Sequence, residues 1–190
     1  MRIVLVALLL TLPALLGAAK RPTPPEIGYP LADVKPRELR SQFKDRRRGH
    51  QHQAIDLMRK RGTPVMAVTD GTIRRLYRSK TGGISIYLFD GSEEYCFFYG
   101  HLDHYVKGLH EGQEVQKGEV IGYVGYTGNA KRSAPHLHFA VSLTGPAHRW
   151  SGGVAIDPYP LLLAASPKAV GIGESDTAVG ADSTEQPQPE

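Results

Sequence analysis

The sequence predicts an all-β fold, a compact antiparallel β-sheet domain with short flanking extensions. Three observations predict it. Turn signals are dense between about residues 45 and 163: Asp70-Gly71, Thr81-Gly82-Gly83, Asp90-Gly91 and Lys117-Gly118. The runs between them are short and rich in β-branched or aromatic residues. Little in that span has helical period. The chain has 190 residues, of which 41% are hydrophobic and 22% charged. Those values suit one globular domain with flanking segments and exclude a collagen-like, coiled-coil or multi-pass membrane protein.

In chain order, residues 1–19 read as a secretory signal peptide. Arg2 supplies a positive start, Ile3–Leu16 is almost wholly apolar, and Gly17-Ala18-Ala19 are small enough for a processing site. The apolar run is shorter than the roughly 20 residues a spanning helix needs, and Pro13 interrupts it. The expectation is therefore an exported protein, periplasmic or secreted, with no stable membrane insertion once the leader is removed. Residues 20–44 form a lead-in rich in proline (Pro22, Pro24, Pro25, Pro30, Pro36), with a short helix expected in Val34–Phe43. The domain itself is expected over residues 45–165. Strands are expected at Pro64–Val68, Thr72–Tyr77, Ile84–Phe89, Tyr95–Tyr99 and Val120–Val124. Ile84–Leu88 partly alternates, which predicts a solvated face, and Asp90-Gly91 predicts a hairpin. Cys96 is the one cysteine, so no intrachain disulfide can form, and its apolar strand context predicts a small buried hydrophobe. Residues 166–190 read as a disordered acidic tail.

The formal charge of +4 comes from 23 basic and 19 acidic residues. It is unevenly spread. The tail from Gly171 holds Glu174, Asp176, Asp182, Glu185 and Glu190 and no basic residue. Residues 20–170 carry 22 basic against 14 acidic residues, a formal +8. A basic domain gains attraction to anionic polymers, weakened by salt. Lys44–Arg48 and Arg59-Lys60-Arg61 raise the reading of a nucleic-acid binder, but no aromatic stacking pattern accompanies them and export argues against that partner.

Six of the eight histidines fall in three short stretches: His50 and His52, His101 and His104, His136 and His138. Pro135-His136-Leu137-His138-Phe139 reads as a strand. His136 and His138 then share a face about 7 Å apart, with Leu137 and Phe139 turned into the core. Both imidazoles can attend one metal, or one can bind while the other acts on bound water. On a straight strand His52 and Asp56 would stand about 13 Å apart, so the backbone must bend or coil for them to meet. Taken alone, His52 and His101 read as surface or strand-end histidines and Asp56 as an N-terminal cap, and only the combined count points to a site. Two imidazoles and one carboxylate are a ligand set of an open catalytic zinc site, with further histidines free for proton transfer.

At these residues the sequence resembles the LytM/lysostaphin-type zinc peptidases of family M23. The family's His-x-Gly-x-Asp motif stands as His52-Gln53-Ala54-Ile55-Asp56, its lone histidine as His101 in Tyr99-Gly100-His101-Leu102, and its His-x-His motif as His136-Leu137-His138. Linking text matches at Gly62-Thr63-Pro64-Val65, Val115-Gln116-Lys117-Gly118, Ile121-Gly122, Thr127-Gly128 and Ala155-Ile156-Asp157-Pro158. The resemblance implies an antiparallel, duplicated-hybrid-motif-like domain. It implies one zinc ion held by His52, Asp56 and His138, and assistance to water and intermediate by His101 and His136. It further implies hydrolysis of peptide bonds in peptidoglycan stems or crosslinks. Ala54 departs from the family's usual glycine, which matters if that position needs positive φ. The alternative is a non-catalytic cell-wall binding protein or amidase activator of the same fold, a role taken by relatives that have lost zinc ligands. This chain keeps all five positions.

Overall fold

The structure, a computed structural model, describes residues 23–47 and 49–165. The leader read at residues 1–19 and the tail read at 166–190 lie outside the described residues. In order, the strands are β1 Arg46–Arg47, β2 His50–Gln51, β3 Ile55–Met58, β4 Pro64–Met66, β5 Gly71–Ser79 and β6 Gly83–Asp90. They continue as β7 Tyr95–Tyr105, β8 Glu114–Val115, β9 Val120–Val124, β10 His136–Leu143 and β11 Val154–Ile156, followed by the helix α1 Pro158–Ala164. Every described pairing is antiparallel. The nine-stranded sheet runs β11-β10-β7-β6-β5-β8, with β3 on the far edge of β10 and β9 joining β4 to β7. The all-β expectation holds. Among the described residues no helix is long and apolar enough to cross a membrane.

Strand β7 organises the site. From Tyr95 to Gly100 it pairs with β10, and from Leu102 to Tyr105 the same edge pairs with β9. Between the two sits His101, at φ +60. A left-handed residue inside a strand interrupts the ladder, and here the partner changes at that residue. The strand expected at Tyr95–Tyr99 is thereby longer than its sequence run suggests: it continues to Tyr105.

The core packs the inward faces of these strands, with Phe97, Tyr99, Leu137 and Phe139 fully buried. Phe139 lies between Phe97 and Tyr99, at ring separations of 6.4 and 5.4 Å. The Tyr99 hydroxyl accepts from Val68 N, so this large side chain is buried with its polar end satisfied. The lead-in joins the core through Ile27, Leu31, Val34 and Leu39. Gly28 N donates to Val68 O and Met66 N to Pro30 O, which ties it down as well.

Three local expectations change. Val34–Phe43 is not an α-helix; a single 3₁₀ turn, Pro36–Glu38, stands there. Pro36 disfavours helix at the residue before it, and Leu39 leaves the turn with extended dihedrals to reach the core. Strand β6 has no solvated face: Ile86 and Leu88 are buried, and on the other side Tyr87 packs under Trp150 at 4.8 Å and Phe98 at 4.8 Å. The one α-helix among the described residues lies where none was expected. Asp157 caps it by accepting from Tyr159 N at 2.9 Å, and Pro158 begins it. The Asp90-Gly91 hairpin is present, and Asp90 Oδ1 accepts from Tyr95 N at 2.8 Å to close it.

Candidate metal centre

The bend between His52 and Asp56 falls at Gln53, φ +53. His52 N donates to Asp45 O and Gln53 N to Phe43 O, which hold the bend from outside the motif. Ala54 is fully buried and is not among the residues with positive φ. The departure from glycine therefore carries no backbone strain. After the bend β3 pairs with β10, placing Asp56 opposite His138. On its other edge β10 places His138 opposite Gly100, one residue before His101. Sheet register thus assembles a site from segments more than 80 residues apart.

The three donor atoms nearly touch. His52 Nε2 lies 3.0 Å from Asp56 Oδ1, His138 Nδ1 lies 3.0 Å from the same oxygen, and the two nitrogens are 3.2 Å apart. No arrangement of ring protons satisfies all three contacts. If both nitrogens donate to the carboxylate, two N–H groups face each other. If either is bare, its lone pair faces the carboxylate. A cation among them resolves all three contacts at once. Tetrahedral ligands at the usual zinc distances stand about 3.3 Å apart, close to the observed spacing. These three residues form the group that could hold a metal among those described.

His101 and His136 flank the trio, with ring centroids 4.8 Å apart, and His101 is 5.6 Å from His138. Each is oriented by a backbone carbonyl, which can only accept. His101 Nδ1 donates to Thr127 O at 2.8 Å and His136 Nδ1 donates to Ala134 O at 2.9 Å. Both neutral rings therefore keep Nε2 as the nitrogen with the lone pair. His136 Nε2 stands 3.7 Å from Asp56 Oδ1. Burial pulls the His101 imidazole down to about 4 and outweighs the bond to Thr127. Burial likewise lowers His138, against the pull of Asp56. Burial alone would raise the Asp56 carboxyl, but hydrogen bonds and charge from His138 and His52 hold it well below the usual carboxylate range.

All five residues singled out from the sequence thus meet at one place. Others were not foreseen. Arg47 donates to Asp56 Oδ2 at 2.9 Å, leaving Oδ1 toward the histidines. Gln42 clasps the backbone of Asp56 through both ends of its amide. Thr127 supplies the carbonyl that fixes His101, and its hydroxyl donates to Leu102 O at 2.6 Å. In the sequence, Arg47 is indistinguishable from its neighbours in a basic run. Asp103 accepts from Arg61 Nε and pairs with His104 Nδ1, and neither bonds a site histidine. Cys96 is buried, with its thiol pushed up by burial to about 12, which fits a packing role. A cleft of about 360 Å³ opens beside His52 and His138, walled by Tyr87, Phe98, Trp150 and Ser142.

The sequence matches peptidase family M23 over residues 50–158, a span that holds all five of these residues. The chain belongs to that family. This M23 domain is 33% identical over 118 residues to the L-Ala–D-Glu endopeptidase of Bacillus subtilis, covering 60% of this chain and 35% of the relative. It is 32% identical over 131 residues to the glycyl-glycine endopeptidase ALE-1 of Staphylococcus capitis, covering 68% of this chain and 33% of that one. Among solved structures it is similar to the catalytic domain of the antimicrobial peptidase lysostaphin from Staphylococcus simulans. That match has 33% identity and a TM-score of 0.52, and covers 60% of this chain and 80% of the other. The chain spans about a third of the length of the two curated relatives.

Proposed function

We propose that this chain is an exported, zinc-dependent endopeptidase that hydrolyses peptide bonds in bacterial peptidoglycan. One observation carries the reading: His52, Asp56 and His138 present three donor atoms within 3.2 Å of one another, with two carbonyl-anchored histidines alongside. Two imidazoles and a carboxylate suit zinc and leave one coordination position for water or substrate. When bound, zinc lowers the pKa of a coordinated water toward about 7 and polarises a carbonyl oxygen.

The chain's own groups supply the proton handling. His101, buried and neutral, has its Nδ1–H committed to Thr127 O and accepts a proton at Nε2. His136, with its Nδ1–H committed to Ala134 O, presents Nε2 to the site, and in its imidazolium form that nitrogen carries a proton. From there it donates a hydrogen bond to negative charge growing on the peptide oxygen. Arg47 and Gln42 keep Asp56 in place for both tasks.

Peptidoglycan as substrate is supported by the relatives, whose names specify L-Ala–D-Glu and glycyl-glycine bonds. The apolar leader supports export, and the formal +8 of residues 20–170 supports approach to an anionic wall. Retention of metal-capable side chains at all three ligand positions favours an enzyme over an activator.

The test is digestion of purified peptidoglycan followed by mass analysis of the released muropeptides. The expected result is a defined set of cleaved peptides, absent after chelation and absent with His138→Ala. Digestion that survives both treatments refutes the mechanism.

A further inference from the structure

We propose that Arg78 and Arg132 form an anion-binding subsite beside His101 that takes a free carboxylate of the substrate peptide. The proposal deepens the peptidase reading and rests on it. On the flank of His101 opens a second cavity, of about 500 Å³, lined by Arg78, Ile84, Tyr126, Thr127, Ala130 and Arg132. Neither guanidinium has an acidic partner among the described residues, whereas Arg47, Arg59, Arg61, Arg74 and Arg75 each pair with a carboxylate. The two bordering stretches, residues 74–83 and 126–135, carry Arg74, Arg75, Arg78, Lys80, Lys131 and Arg132 and no acidic residue. Arg132 lies over one ring, Tyr126, at 5.6 Å, which limits the freedom of its guanidinium. A planar guanidinium is suited to bidentate recognition of a carboxylate.

The cavity is built rather than incidental. Its two walls interlock backbone to backbone at Gly83 and Gly128, both with left-handed φ, +65 and +77. A Cβ on Gly128 would come within 2.3 Å of Thr81 O, so only glycine permits the approach. Asn129 N donates to Thr81 O and Ile84 N to Thr127 Oγ1, closing the seam. The same walls carry His101, whose backbone N donates to Gly82 O and whose ring donates to Thr127 O. A carboxylate held here is therefore linked to His101 through Thr127, which lines the cavity and whose carbonyl orients the ring. Peptides that combine an amide bond with a nearby free acid fit this arrangement, and neutral peptides do not use it.

The test measures binding to the full-length, zinc-loaded His136→Ala protein, which keeps the metal ligands. The probes are a synthetic stem tetrapeptide with free carboxylates and its fully amidated counterpart, at low salt. The acid peptide is expected to bind about ten-fold tighter than the amide, the worth of a charge-assisted hydrogen bond. Adding Arg78→Gln and Arg132→Gln removes that preference, and Arg132→Lys restores part of it. In the active background the same substitutions raise KM for the acid peptide and not for the amide. Zinc content and melting temperature report folding of each variant. Equal binding of acid and amide, or a preference that survives both glutamines, overturns the subsite. Tighter binding of a glycerol-phosphate oligomer than of the acid peptide overturns the assignment to a peptide carboxylate. If the active protein releases no peptides from purified peptidoglycan, the peptidase reading fails while the binding arm still decides the subsite.

Discussion

Replacing Arg47 by alanine should weaken zinc binding about ten-fold, although Arg47 is not a ligand. Its guanidinium sits 2.9 Å from Asp56 Oδ2 while Oδ1 faces His52 and His138. The side chains are 45% and 14% exposed. A pair exposed on both sides contributes about 0.2–1 kcal/mol. A charge-assisted bond to a mostly buried carboxylate contributes about 1.5–3 kcal/mol. This pair lies between, at roughly 1.4 kcal/mol, which is the ten-fold change. Without Arg47 the carboxylate can rotate, and the single-oxygen presentation is no longer enforced. The opposite argument is that the guanidinium draws electron density from the carboxylate and makes it a poorer ligand, in which case its removal would tighten binding. Competition with a chromophoric chelator at fixed pH separates the two. An affinity within two-fold of wild type, or a tighter one, refutes the positioning role.

Four further outcomes follow from the same geometry. Gly128→Ala forces a side chain into a left-handed position 2.3 Å from Thr81 O, and should cost about 3 kcal/mol by chemical denaturation while impairing the seam that carries His101. Phe139→Ala empties a fully buried site between Phe97 and Tyr99 and should destabilise by roughly 4 kcal/mol, with loss of activity only in proportion to unfolding. The folded value for His101, about 4, lies below the free-imidazole value of 6.5, so the unfolded chain takes up that proton first. Stability of the chelated protein should then be full above pH 6.5 and lost as pH falls toward 4, and His101→Asn, which tolerates φ +60, should flatten that decline in a series of thermal melts. Cys96 should resist alkylation in the native state and react in denaturant, because its thiol is buried and pushed up to about 12; ready native labelling would contradict its packing role.

Strand pattern and site were legible in the sequence to different depths, for physical reasons. Period-two order in His136–Phe139 foretold which side chains face the core, and Leu137 and Phe139 are indeed fully buried. The need for a bend between His52 and Asp56 was also legible from distance alone, but not its place at Gln53, because no glycine marks it. The burial of β6 was hidden, since the loop that covers it with Trp150 is remote in sequence. Asp157-Pro158 was a valid helix start, masked by Pro160 and by the shortness of the helix. Arg47, Gln42 and Thr127 could not be read at all. Their roles arise from contacts across the sheet and from a backbone carbonyl, neither of which leaves a mark on residue spacing.

The central claim is that one zinc ion at His52, Asp56 and His138 makes this chain a peptidase. Titrating zinc into the metal-free protein while recording the rate of peptide release from peptidoglycan tests it most directly. The account predicts no release without zinc, a linear rise, and a break at one equivalent per chain that is missing in His138→Ala. Release that is independent of added zinc, or a break at one equivalent that persists without His138, would contradict it.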